Sequence, residues 1–142
     1  MQHATGSRLV HRYNGGMKAL VLVIDDDPEI AARVAVALDG VADVTWIADG
    51  MSALISLRRD DARLPDVILL EMLLPDLDGW GVLDGLDGDP VLENIPVLIV
   101  TSISSEIVRR VAHRKIRAVL IIDKRTLNDR TLRATVLAAI GA

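Results

Sequence analysis

The stretch VLVIDDDPEI, residues 21–30, carries the pattern that decides the fold. Its apolar half belongs to the run Ala19–Ile24, which is continuous rather than alternating, as expected of a strand buried on both faces of a parallel sheet. Asp27 followed by Pro28 is typical of a helix start, with an N-cap and a proline in the first turn. Apolar residues at helical spacing follow until Gly40, a typical helix-ending residue: Ile30, Val34 and Leu38.

The same strand-then-helix pattern repeats along the chain. Stretches with apolar residues at helical spacing separate four more short apolar runs: Val41–Ile47, Val67–Leu70, Val97–Val100 and Val119–Ile122. Five strands alternating with five helices predict an α/β protein, a (βα)5 doubly wound parallel sheet of the flavodoxin-like type. The helix after the third strand is expected to be weak, because three glycines interrupt it at about 1 kcal/mol each: Gly81, Gly85 and Gly88.

Length and composition limit the classes of function. The 142 residues suit one domain, which we assign to residues 17–142. Residues 1–16 are read as a disordered tail, vector-derived residues or a misplaced start. A net charge of −4 argues against nucleic-acid binding, and no apolar run has membrane-spanning length. The absence of cysteine suits a cytoplasmic protein.

Polar residues follow the predicted strands at their carboxyl ends, where such sheets form their ligand sites. They are Asp25, Asp26 and Asp27 after the first strand, Glu71 after the third, Thr101 and Ser102 after the fourth, and Asp123 and Lys124 after the fifth. Carboxylate oxygens suit Mg²⁺, whereas a lysine and a threonine suit a phosphoryl group. The first turn, DDDPE, would repel a pyrophosphate, which excludes a dinucleotide site.

Four segments in this order resemble the motifs of bacterial two-component response-regulator receiver domains: VLVIDDDPEI, PDVILLEMLLPDLDGW, NIPVLIVTS and LIIDK. The resemblance runs from about Met17 to Ala142. It implies that Asp25, Asp26, the position of Glu71 and the carbonyl of Leu73 hold Mg²⁺, with Asp26 a direct ligand. It also implies that Thr101 and Lys124 contact the phosphoryl group, and that Pro75, Asp78 and Gly79 form the loop after the third strand.

Glu71 stands where the family has its phosphate-accepting aspartate. The extra methylene moves the carboxylate by about 1.2–1.5 Å, and attack on a phosphodonor depends on finer placement than that. We expect Glu71 to reach Lys124 and Thr101, and to imitate phospho-aspartate in part or to act as a purely structural acid. Mg²⁺ binding is expected to be weakened or lost.

Two departures lie in and after the fifth strand. Ile121 replaces the aromatic residue that family members usually carry three residues before Lys124, so the usual threonine–aromatic switch is not expected. Arg125 replaces a common proline, and a cis peptide before a non-proline residue costs about 2.5–4 kcal/mol. We therefore expect a trans peptide there.

The leading hypothesis is a single-domain, non-enzymatic receiver that acts by protein–protein contact, independently of phosphorylation, with a sensor histidine kinase or another signalling protein. A basic cluster is either a solvated face or a surface for an acidic partner: Arg109, Arg110, His113, Arg114, Lys115 and Arg117. Trp46 and Trp80 are interpreted as packing residues.

Two other functions stay open at this stage. One is a haloacid-dehalogenase-like phosphatase, because Asp25 and Asp27 have the spacing of its acid motif. The other is a receiver that is phosphorylated on Asp76 or Asp78 instead of Glu71.

Overall fold

The computed structural model describes residues 18–104, 106 and 120–141. Five parallel strands form one sheet in the order β2-β1-β3-β4-β5. The strands are β1 (Ala19–Ile24), β2 (Ala42–Ile47), β3 (Val67–Leu70), β4 (Val97–Thr101) and β5 (Leu120–Asp123). The described helices are α1 (Pro28–Ala37), α2 (Gly50–Leu57), α3 (Gly79–Asp87) and α4 (Asp129–Ala139). This is the predicted flavodoxin-like sheet, with strand bounds within one residue of those expected.

An aliphatic core covers each face of the sheet. One core packs α1 and α4 against alternate strand residues such as Val21 and Val100, and the other packs α2 and α3 against residues such as Leu22 and Ile99. The strands β1, β3 and β4 are buried throughout, whereas β2 and β5 are the partly exposed edges. The three inner strands are continuous apolar runs because both of their faces are buried away from water.

Side chains cap the N-termini of the described helices, including the predicted start at Asp27. Asp27 caps α1 by accepting a hydrogen bond from Glu29 N, and Asp78 caps α3 by accepting one from Gly81 N at 2.9 Å. Gly40 has a φ of 82°, a left-handed conformation that glycine adopts without strain, and it turns the chain into β2. These loops fix where each strand ends, and therefore where the site residues emerge.

The third helix, which the sequence predicts to be weak, is present as α3, and Gly85 within it lies in close contact with α2. A Cβ on Gly85 would lie 2.5 Å from Leu54 Cδ1. Leu54 lies in α2 and is buried, so a larger residue at position 85 would require the Leu54 side chain to move within the packed core. Tertiary packing of α3 on α2 outweighs the low helix propensity of glycine.

The predicted helix between β4 and β5 lies outside the described residues, apart from Glu106. The same is true of the basic cluster at residues 109–117 and of the predicted tail at residues 1–16. Within the described part of the chain, no helix is both long and apolar enough to cross a membrane.

Candidate functional site

The site is centred on Glu71, the first residue after β3 at the carboxyl end of the sheet. Its backbone N–H donates to the carbonyl of Ile24 at 3.0 Å, which ties it to the end of β1. The chain then folds back closely, because Gly79 N donates to Met72 O at 2.9 Å and a Cβ on Gly79 would lie 2.7 Å from Met72 Cα. The loop thus closes behind Glu71, whose side chain is 4% exposed.

Both carboxylate oxygens of Glu71 accept hydrogen bonds from the protein. Oε2 accepts from the backbone N–H groups of Met72 at 2.6 Å and Leu73 at 3.3 Å, and from the hydroxyl of Thr101. Oε1 accepts from Lys124 Nζ at 2.8 Å. Thr101 is fully buried at the end of β4, and its hydroxyl also accepts a hydrogen bond from Ile103 N at 3.4 Å. The expected reach of Glu71 to Lys124 and Thr101 is therefore what the structure contains.

Lys124 bridges two buried carboxylates. Its ammonium lies 2.8 Å from Asp25 Oδ2 and 2.8 Å from Glu71 Oε1, and its side chain is 17% exposed. The other oxygen of Asp25, Oδ1, accepts from Asp27 N at 2.9 Å. Two negative groups at the ends of β1 and β3 are thus joined by one positive group that follows β5.

Burial raises the pKa of the Asp25 carboxyl above its usual value, although the hydrogen bonds from Lys124 and Asp27 N oppose that shift. Burial lowers the pKa of Lys124, but its hydrogen bonds and charge interactions with Asp25 and Glu71 raise it by more, so the net shift is upward. Lys124 is therefore held in its charged form by the two acids, as expected for an ammonium between carboxylates.

The structure brings the side chains of Asp25, Glu71, Thr101 and Lys124 into contact, whereas those of the other predicted residues are exposed or bonded to other groups. Asp26 is exposed, Asp27 caps α1, and Ser102 is exposed. Asp123 turns away to Arg125, with Oδ2 2.8 Å from Arg125 Nη2. Asp76 is also exposed, and the carboxylate of Asp78 is used in the α3 cap.

The structure also describes the two other positions that differ from the family pattern, Ile121 and Arg125. Ile121 is half-buried in β5 and packs against the α2–α3 core. The peptide before Arg125 is trans, as expected, since the described part of the chain contains no cis peptide bond. Lys124–Thr126 forms a short 3-10 helix, capped by Asp123 accepting from Arg125 N. The loop after Lys124 thus forms without proline.

Trp46 has a role at the site that the sequence did not reveal. It is 44% exposed on the edge strand β2, and its indole Nε1 donates to the backbone carbonyl of Asp25 at 2.6 Å. The interpretation of Trp46 as a packing residue was therefore incomplete. Trp46 pairs with Val23 in the sheet, and from that position its long side chain reaches the end of β1. Trp80, by contrast, is half-buried and packs against the α2–α3 core.

A divalent ion between Asp25 and Glu71 would meet the ammonium of Lys124, which lies 2.8 Å from an oxygen of each carboxylate and already supplies the positive charge there. The other oxygen of Glu71, Oε2, accepts from three donors within the protein. Among the described residues, no three acidic, histidine or cysteine side chains are grouped so that they could hold a metal ion. The ligand set Asp25, Asp26, Glu71 and Leu73 stays a prediction that would require Lys124 to move.

Comparisons with known proteins agree with this architecture. The model of the response regulator receiver domain family matches residues 21–137. The probable transcriptional regulatory protein TcrX of Mycobacterium tuberculosis is 38% identical over 88 residues, which is 61% of this chain and 36% of TcrX. Response regulator PleD of Caulobacter vibrioides is 35% identical over 88 residues, 61% of this chain and 19% of PleD. The match thus spans about a third or less of the length of these relatives.

Solved structures show the same fold over nearly their whole length. The phosphorylated cyanobacterial phytochrome response regulator RcpA superimposes with a TM-score of 0.77 at 24% identity, covering 87% of this chain and 95% of that one. The Mn²⁺-bound form of response regulator Rcp1 has a TM-score of 0.77 at 20% identity, covering 87% and 96%. At these identities the likeness concerns the fold alone.

Proposed function

This chain belongs to the response regulator receiver domain family, and we propose that it is a receiver whose output does not depend on phosphorylation. Its role lies in two-component signalling. The proposal adds that Glu71 keeps the site in one arrangement without a phosphoryl group. It also adds that the output is non-enzymatic, through contact with a sensor histidine kinase or another signalling protein in the cytoplasm.

One observation supports this proposal above the others: Glu71 already holds the donors that a phosphoryl group would need. In the family resemblance, the threonine and the lysine contact the phosphoryl oxygens. Here Thr101 donates to Oε2 of Glu71, and Lys124 donates to Oε1 at 2.8 Å. The backbone N–H groups of Met72 and Leu73 also donate hydrogen bonds to Oε2. The carboxylate thus takes the position of an anion within its own site.

Phosphorylation of Glu71 itself is disfavoured by the same contacts. A carboxylate that attacks a phosphodonor needs a free oxygen directed at the incoming phosphorus. Both oxygens of Glu71 are engaged, and its side chain is 4% exposed. In-line attack by Oε2 would compete with three hydrogen bonds, and attack by Oε1 would have to proceed beside the ammonium of Lys124.

The test is phosphorylation by a small donor, read by intact mass. Wild type, Glu71→Asp and Glu71→Gln are incubated with acetyl phosphate and Mg²⁺. We expect a phosphoryl mass on Glu71→Asp alone, because its shorter side chain withdraws from Thr101 and leaves room for the donor. Glu71→Gln is the matched control, since an amide of the same length cannot accept a phosphoryl group as a carboxylate does.

Hydrogen exchange gives a second readout of the same proposal. The amides of Met72 and Leu73 are hydrogen-bonded to Glu71, so their exchange in wild type should not respond to acetyl phosphate. A phosphoryl mass on wild type would refute the proposal. Peptide mapping would then show whether the acceptor is Glu71 or an exposed acid such as Asp76.

A further inference from the structure

Lys124 occupies the place where a cation is needed between the strand ends. Asp25 is 1% exposed and Glu71 is 4% exposed, and two buried carboxylates at one site repel each other unless a positive charge lies between them. The ammonium lies 2.8 Å from an oxygen of each. Both carboxylates therefore already have their counter-charge within the chain.

We infer that Lys124 is the resident cation of this site and takes the place of a divalent metal ion. Mg²⁺ and Lys124 then compete for the same two carboxylates, and the wild-type fold needs no metal. This inference deepens the proposed function, because it explains how the site stays assembled without Mg²⁺ or phosphate. It rests on the same Glu71 contacts, but it concerns cation binding only.

The contacts show what a metal ion would have to displace. It would have to remove Lys124 from Asp25 Oδ2, and then draw Glu71 Oε2 away from three donors or replace Lys124 at Oε1. Asp26 is exposed and would have to turn inward. Mg²⁺ also demands near-octahedral oxygen ligands and gives up its water reluctantly, so a partial ligand set does not compensate for these losses.

Trp46 provides a reporter inside the site. Its indole N–H donates to the carbonyl of Asp25 at 2.6 Å, so an ion held by Asp25 lies close to this ring. The chain has two tryptophans, and the other one, Trp80, packs against the α2–α3 core. In a Trp80→Phe background the fluorescence therefore comes from Trp46 alone, and bound Mn²⁺ quenches it.

The experiment is a titration of Trp80→Phe protein with MnCl2, with and without the further substitution Lys124→Met. Lys124→Met keeps much of the side-chain length and removes the charge. We expect no saturable quenching of the parent below about 10 mM Mn²⁺, and a midpoint at least about tenfold lower for Lys124→Met. Excess Mg²⁺ should reverse the quenching in Lys124→Met.

Equal midpoints in the two proteins would overturn the inference, and so would a failure of Lys124→Met to bind the ion. If Lys124→Met does not fold, Lys124→Gln is the second variant. Wild type also offers a test that needs no variant: its Tm should agree within about 1 °C in EDTA and in 10 mM MgCl2, whereas a clear rise with Mg²⁺ would contradict a resident ammonium.

The titration contains no phosphodonor, so its outcome is separate from the phosphorylation test. Wild type that binds Mn²⁺ but gains no phosphoryl mass would refute the inference about Lys124 alone. Wild type that gains a phosphoryl mass would refute the proposed function, whatever the Mn²⁺ titration shows.

Discussion

Glu71→Gln is the substitution that most directly measures how much the buried network stabilises the fold. Glutamine has the shape of glutamate, so the change removes a charge and one acceptor with little change in volume. The remaining carbonyl oxygen can face either the donors at Oε2 or Lys124. If it stays with Met72, Leu73 and Thr101, the new amide NH2 faces the ammonium of Lys124.

The magnitude follows from these contacts. Removing one partner of a buried ion pair typically costs about 3–5 kcal/mol, because the other charge is left buried. Here Lys124 keeps Asp25 at 2.8 Å, which lowers the expected cost to about 2–4 kcal/mol. For a domain of this size, that loss lowers the Tm by roughly 8–15 °C.

The assay is urea unfolding at pH 7 together with thermal melts, followed by circular dichroism. Glu93→Gln is the matched control, because Glu93 is exposed and its loss should change the free energy of unfolding by less than about 0.5 kcal/mol. The double variant Glu71→Gln/Lys124→Met completes a cycle that isolates the pair, with an expected coupling above about 1 kcal/mol. Glu71→Gln within about 0.5 kcal/mol of wild type would refute the idea that Glu71 holds the site together.

Three further measurements test other parts of the structure. The pKa of Lys124 is raised above its ordinary value of 10.5, so its ion pairs stabilise the fold fully below about pH 10.5 and lose that effect as the pH rises through the folded-state pKa. In urea unfolding, Lys124→Met should therefore lose less stability than wild type at alkaline pH. The same dependence on pH in both proteins would contradict this role of Lys124. Gly79→Ala should lower the free energy of unfolding by about 1–3 kcal/mol, because its Cβ would lie 2.7 Å from Met72 Cα. Gly88→Ala is the control and should not destabilise the fold, since a Cβ there has its nearest neighbour at 3.5 Å. Equal effects of the two substitutions would show that the close approach at Gly79 is unimportant. Trp46→Phe should lower the free energy of unfolding by about 1–2 kcal/mol and speed hydrogen exchange near Asp25, because the carbonyl of Asp25 loses its indole donor. Exchange as slow as in wild type would show that this hydrogen bond is dispensable.

Much of the fold was determined by local patterns in the sequence. Apolar runs of strand length and the Asp27–Pro28 helix start are read within a few residues, and each appears in the structure where expected. Because parallel strands bring their carboxyl ends to one edge, the position of Glu71, Thr101 and Lys124 at a common site also followed from sequence order. The packing of Gly85 on Leu54 could not be read from the sequence, because helix propensity describes a helix alone and not its contacts.

Only the tertiary structure decided how the site residues meet. Lys124 and Glu71 are 53 positions apart, and their contact depends on strand register, on the closed loop behind Glu71 and on side-chain rotamers. The same holds for Asp25, which turns inward while its neighbour Asp26 turns outward, and for Trp46, which reaches Asp25 from a neighbouring strand. The identity of a charged residue is local information, but the partner that neutralises it is set by burial, which exists only once the sheet has assembled.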